Sequence, residues 1–285
     1  MDFEEFLWAH NEKSLVELIR ESFNKHKTCP FHKVAMDLFY EYLMTGGFPE
    51  VIEANLNGKS FFEIDAIKQK IIDVYKREIA NNNNLIEIPR GMEVFDSIPR
   101  QLVKENKKFQ YGIIGQGKRA KEYDKTIDYL VNNHILYRSY KTTTIKSPLS
   151  SCKEKDSFKL YMPDDGLLIS MLHVNFKQFA MDENLKETIY ENHIAKTLAE
   201  GGYSLYYYQS DGKAEVNFVV QNRKGQIIPI EIATKSQSKA KSLSVFMKKF
   251  TVPQAYRITE NNFSTRKDVK YIPIYAVFCL NDIQL

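Results

Sequence analysis

Apolar residues recur at helical spacing through the first part of the chain. Leu15, Leu18, Ile19 and Phe23 share one face, Val34, Leu38, Tyr42 and Leu43 a second, and Ile64, Ile67, Ile71 and Tyr75 a third. This spacing predicts helices from Met1 to about Ala80. Thr45-Gly46-Gly47-Phe48-Pro49-Glu50 breaks the second from the third, because the glycines permit an abrupt turn and Pro49 fixes the exit. Farther on, a helix is expected around Gln101 to Glu105 and another from about Arg119 to Asn133. Strands are expected at Ile135-Leu136-Tyr137 and Phe158-Lys159-Leu160-Tyr161. The polar stretch Thr142 to Asp156 between them reads as a mobile tip.

The pattern changes at Leu185. Leu185, Ile189, Ile194 and Leu198 mark a helix that stops at Gly201-Gly202, with Glu191 beside its buried stripe. Three strand-like runs follow, Tyr203 to Tyr208, Glu215 to Gln221 and Ile227 to Ile232. A second amphipathic helix carries Ala240, Leu243, Phe246, Met247 and Phe250, and a last strand is expected from Tyr271 to Leu280. The expected fold is therefore α+β with α/β character, in three parts: a helical segment over residues 1–80, a winged-helix-like domain over 81–166, and an αβ domain over 167–285.

The order of helix, three strands and helix resembles the restriction-endonuclease-like fold. Such nucleases carry an acidic residue on the second strand and Glu-x-Lys on the third, so that two carboxylates hold a divalent metal and the lysine orients water. Here the second strand reads Glu215-Val216-Asn217-Phe218 against a family pattern of Glu-Val-Asp-Phe. The third reads Ile230-Glu231-Ile232-Ala233 against Glu-Val-Lys. An amide stands in place of one carboxylate and a methyl in place of the ammonium. Losing a charged ligand and a catalytic cation costs several orders of magnitude in rate. The domain is thus expected to be degenerate, with no catalytic residues, no metal and no cofactor. What is left of the site would be Glu191, Glu215, Asn217, Glu231 and Lys235, the last sharing a strand face with Glu231. Helix-edge solvation or local ion pairs would explain the same glutamates. The alternative is a Mg²⁺-dependent nuclease in which Glu231, Glu215 and Lys235 form a rearranged site.

Asp2-Phe3-Glu4-Glu5-Phe6-Leu7, followed by Tyr42-Leu43-x-x-Gly46-Gly47-Phe48-Pro49-Glu50, resembles a bacterial and archaeal AAA-type ATPase family. The likeness continues through Phe95-Asp96-x-Ile98-Pro99-x-Gln101-Leu102, Asp165-Gly166-Leu167-Leu168, Glu191-Asn192 and Ile272-Pro273-Ile274-Tyr275. It implies the end of an ATPase lid followed by a C-terminal domain of unknown function. The phosphate-binding loop has no counterpart: Asn57-Gly58-Lys59-Ser60 is preceded by Glu53 where a phosphate loop requires glycine. The resemblance therefore implies a non-catalytic accessory or recognition region, with DNA, a protein partner or the ATPase module as the expected partner.

Composition adds limits. A net charge of +4 over 285 residues permits an acidic partner without demanding one, so nucleic-acid binding has to be argued locally. Lys118, Arg119, Lys121 and Lys125 supply that local argument, at the start of the helix near Arg119. A charged helix face is also commonly just solvated, and winged helices also dock proteins. Cys29, Cys152 and Cys279 are odd in number and far apart, which fits a reducing compartment, and no apolar run approaches the length of a membrane span. A cytoplasmic protein without a membrane anchor is expected. Gly115-Gln116-Gly117-Lys118-Arg119-Ala120 imitates a dinucleotide fingerprint but lacks the acidic residue that would meet a ribose.

Overall fold

The computed structural model describes residues 1–81, 87–210, 214–233 and 240–284. Its helical part begins with α1 (Phe3–Ala9), α2 (Lys13–Lys25), α3 (His32–Thr45), α4 (Pro49–Leu56) and α5 (Phe61–Ala80). Two of these open on reciprocal caps: at the start of α1 the Asp2 and Glu5 backbone N–H groups each donate to the other's carboxylate at 2.8 Å, and at the start of α5 the Ser60 N–H donates to Glu63 at 2.9 Å while the Glu63 N–H donates to Ser60 Oγ at 3.4 Å. The buried face of α3 is Ala35, Met36, Phe39, Tyr42 and Leu43. Val34, expected on that face, is 44% exposed. Its neighbours Ala35 and Met36 take the inward positions.

Next come α6 (Glu87–Leu102), α7 (Tyr111–Ile114) and α8 (Ala120–Asn132), then the antiparallel strands β1 (Tyr137–Thr142) and β2 (Lys153–Tyr161). The helix expected to begin at Gln101 instead ends at Leu102, and Pro99 lies inside it. Val94, Phe95, Ile98 and Leu102 are all buried in the core, and their burial outweighs the backbone hydrogen bond that Pro99 removes.

The sheet part follows: α9 (Asp165–Leu172), α10 (Phe176–Met181), α11 (Glu183–Glu200), β3 (Leu205–Gln209), β4 (Glu215–Gln221), β5 (Ile227–Ile232), α12 (Ala240–Phe250), β6 (Ala255–Thr259), β7 (Ser264–Arg266) and β8 (Val269–Pro273). The fold is α+β, a helical part followed by an αβ part. All strands join one mixed sheet in the order β2-β1-β3-β4-β5-β6-β8-β7. The β1–β2 hairpin is therefore an integral edge of this sheet, with β1 parallel to β3 from Ser139↔Leu205 to Thr142↔Tyr208. The expected mobile tip is instead tied down. The Leu149 amide donates to Gln221 Oε1 at 2.8 Å, Gln221 Nε2 donates to Ser147 Oγ at 2.8 Å, and Leu149 is buried against Tyr206, Tyr208 and Val216.

The expected strand from Tyr271 to Leu280 is real only to Pro273. Ile274–Gln284 turns into a 3₁₀ segment. An uninterrupted apolar run carries no period that distinguishes strand from helix, so this segment could not be assigned from pattern alone. Strands β6 and β7 were not foreseen. Among the described residues no helix is long and apolar enough to cross a membrane.

Candidate functional site

Helix α11 is buried on nearly all sides, and its polar residues are consequently paired. Glu191 lies near its centre and is 1% exposed. Its carboxylate accepts hydrogen bonds from Lys107 Nζ at 2.9 Å, Lys159 Nζ at 3.0 Å, Tyr161 Oη at 2.7 Å and Asn217 Nδ2 at 3.3 Å. Lys159 also donates to Glu215 Oε1 at 2.9 Å. Burial alone would push the Glu191 carboxyl up, but the Lys107 and Lys159 charges outweigh it and hold the group well below the usual carboxylate range. Burial likewise works against the Lys159 ammonium, yet Glu191 and Glu215 leave it above the ordinary lysine value.

Strand β2 brings in Lys159 and Tyr161 because residues two apart share a strand face. Strand β4 needs a distortion. Tyr206 pairs with Val219 and Tyr208 with Val216, so Asn217 and Phe218 together oppose one residue of β3, which is a β-bulge. The bulge aims Asn217 at α11, and its Oδ1 also accepts from the Ile232 backbone N–H at 3.1 Å. The amide thus bridges helix and sheet.

Glu231 does not join this group. It alternates with Ile230 and Ile232, which pack into the core shared with α11, so its side chain leaves the sheet on the other face. There it is fully buried and accepts from Arg257 Nε at 2.8 Å, while Arg257 Nη1 donates to Tyr271 Oη at 3.4 Å. The structure therefore brings together Glu191, Glu215 and Asn217 and sets Glu231 apart, and Lys235 lies outside the described residues. Helix-edge solvation does not describe Glu191 or Glu231, whereas ion pairing describes both. Among the described residues no group of three or more His, Cys, Asp or Glu side chains is arranged to hold a metal.

Sequence reasoning missed Lys107, Lys159, Tyr161 and Arg257. One signal was present: Lys159 stands between Phe158 and Leu160 in a run that is otherwise apolar, where a charged side chain needs a buried partner. A second polar cluster went unnoticed on the other side of α11. Asp164 accepts from the Gly47 amide at 2.7 Å and the Leu167 amide at 3.0 Å. Lys196 lies 3.6 Å from Asp164 and donates to Tyr42 Oη at 2.8 Å, and His193 Nδ1 meets Asp165 at 2.9 Å.

Of the basic residues singled out for nucleic acid, Arg119, Lys121 and Lys125 are exposed around the first turns of α8. Lys118 is engaged by Glu93 at 3.1 Å. Glu122 accepts from the Arg119 backbone N–H at 3.1 Å, and Asp128 holds Arg138 at 2.8 Å.

Two family models match this chain. One, described as a domain of unknown function (DUF8612), covers residues 36–178, half of the whole. The chain belongs to the DUF8612 family. A second domain of unknown function, DUF4143, matches residues 186–277 of this DUF8612 protein. No curated protein and no solved structure matches it. The Glu191 centre lies across the two matched regions. Lys107, Lys159 and Tyr161 come from the DUF8612 match, and Glu191, Glu215 and Asn217 come from the DUF4143 match.

Proposed function

We propose that this chain is a non-catalytic accessory and recognition region of an AAA-type ATPase family protein. In this reading residues 81–166 act as a winged-helix-like module and the αβ part is a degenerate nuclease-like domain. The observation that carries the reading is the state of Glu191. Two ammonium groups, a phenol and an amide already occupy its carboxylate, so its oxygens have no free direction in which to meet a divalent cation. Lys107 and Lys159 neutralise the charge that a metal would otherwise balance. The centre then works as a clamp between the two matched regions. Domains of the DUF4143 kind are typically found in AAA-ATPase-associated proteins, which supports the ATPase link.

The contact surface in this proposal is the start of α8, where Arg119, Lys121 and Lys125 face solvent. Basic side chains there would meet DNA phosphates, giving affinity that falls steeply with salt. The test is fluorescence polarisation of a labelled duplex over a salt series, comparing the wild type with the Arg119→Ala/Lys121→Ala/Lys125→Ala variant. The triple variant should bind about 10–100-fold more weakly and lose roughly two to three units of the log–log salt slope. Absence of binding by the wild type at low salt would defeat the DNA part and leave recognition of protein alone.

The same DNA incubated with Mg²⁺ or Mn²⁺ is expected to remain intact. Cleavage that disappears in Glu231→Ala would overturn the non-catalytic reading.

A further inference from the structure

A cleft of about 610 Å³ opens where the parallel strands β5, β6 and β8 begin, well away from Glu191. Its apolar walls are Ile145 from the β1–β2 connection, Ile228 from β5, Phe250 and Val252 at the end of α12, and the buried ring of Tyr256, with Ser147, Gln226, Thr251 and Gln254 adding neutral polar groups. The volume lies within the range of small-molecule sites, about 300–1,000 Å³. The tied-down β1–β2 connection forms one side of it, so the enclosure depends on the Leu149 and Ser147 contacts described above.

The charged lining is of one sign: Lys146 and Lys270 line the cleft, and among the described residues no carboxylate does. Lys270 holds its Nζ 5.8 Å from the centre of the Tyr256 ring and forms no ion pair with any described residue. Burial holds its ammonium below the ordinary lysine value. The His26 imidazole is also lowered, first by burial and then by the Lys270 charge. Lys107, Lys159 and Lys196 are buried and meet carboxylates. Lys270 is half-buried at the cleft and meets none among the described residues. A partly desolvated cation without a counter-ion is unfavourable on its own, and an anion arriving with an apolar body would remove that cost.

We propose that this cleft binds a small amphipathic monoanion, with an aromatic or aliphatic body against Ile228, Phe250, Val252 and Tyr256 and a carboxylate or sulfonate meeting Lys270, with Lys146 at the rim. The site is independent of the Glu191 centre and of the α8 surface. None of the described lining residues would cleave or modify such a ligand, so the role assigned is binding.

The test titrates the full chain with 8-anilinonaphthalene-1-sulfonate and, in parallel, with N-phenyl-1-naphthylamine, which has the same rings without the anion. The sulfonate should bind one saturable site, and Lys270→Met should weaken it about tenfold while leaving the neutral probe unchanged, the loss expected for one charge-assisted contact. Lys146→Met, at an exposed position, should weaken the sulfonate about two- to threefold. A longer-chain carboxylate such as decanoate should displace the sulfonate from the wild type. Fluorescence that does not saturate would overturn the proposal. So would sulfonate affinity unmoved in the Lys146→Met/Lys270→Met double variant, or a neutral probe that loses affinity in parallel.

Discussion

Glu191→Gln should lower the free energy of unfolding by about 3–5 kcal/mol, the usual consequence of removing one partner from a buried ion pair. The substitution keeps the shape and removes the charge. Lys107 and Lys159, each with only 4% of the side chain exposed, would then be left with Glu215 and with Glu187, which lies 4.0 Å from Lys107. Urea unfolding should show a lower midpoint with an unchanged slope. Adding Lys159→Met should recover part of the loss, because the double variant buries one unbalanced cation fewer. Acid supplies a second readout. The folded carboxyl of Glu191 is held far below its ordinary value of 4.5, so its stabilisation is complete above that value and is lost as pH falls toward the folded one. The gap between wild type and Glu191→Gln should therefore narrow steadily below about pH 5. A constant gap, or equal midpoints at neutral pH, would contradict the clamp.

Gly46→Ala is expected to cost about 3 kcal/mol or more, through two separate terms. Gly46 ends α3 at φ +86° and ψ −178°, a conformation that residues with a Cβ rarely adopt. A Cβ there would also stand 2.3 Å from Asp164 Oδ1 and 3.1 Å from the Gly166 Cα, pushing α9 away from α3 and disturbing the Asp164 contact with the Gly47 amide. Gly58→Ala is the control. It too has positive φ, at +70°, but nothing lies within 4 Å of the added methyl, so only the conformational cost of about 1 kcal/mol should appear. Thermal or urea unfolding of both variants separates the two terms. Equal losses would mean that crowding against Asp164 contributes nothing.

The elements that were legible either have one wet face or are bounded by turn residues. α2 and α5 announce themselves because burial selects every third or fourth residue, and β4 and β5 match their expected limits because turn residues bound them on both sides. Ile274–Leu280 is buried at every position, and no face-to-face contrast remains to read there, whereas α11, also largely buried, was legible from Leu185, Ile189, Ile194 and Leu198 and its Gly201-Gly202 stop. For the candidate site, sequence identified Glu191, Glu215 and Asn217 but paired Asn217 with Glu231. That pairing assumes strict alternation along β4, and the bulge at Asn217 and Phe218 shifts the phase by one residue. A bulge depends on how two strands meet and leaves no mark in one strand's own pattern. Lys107 and Lys159 were hidden for a related reason, since their partner lies 84 and 32 residues away along the chain. The joint at Gly46-Gly47 was recognised as a turn, while its contact with Asp164 became visible only in three dimensions.

The pairing of β1 with β3 has a mechanical consequence. The sheet ladder crosses from the DUF8612 match into the DUF4143 match, and the buried Glu191 cluster rivets the same seam from the helical side. A load entering at β2 reaches the far edge at β7 through one unbroken ladder of strands, with the buried carboxylate sharing it between helix and sheet.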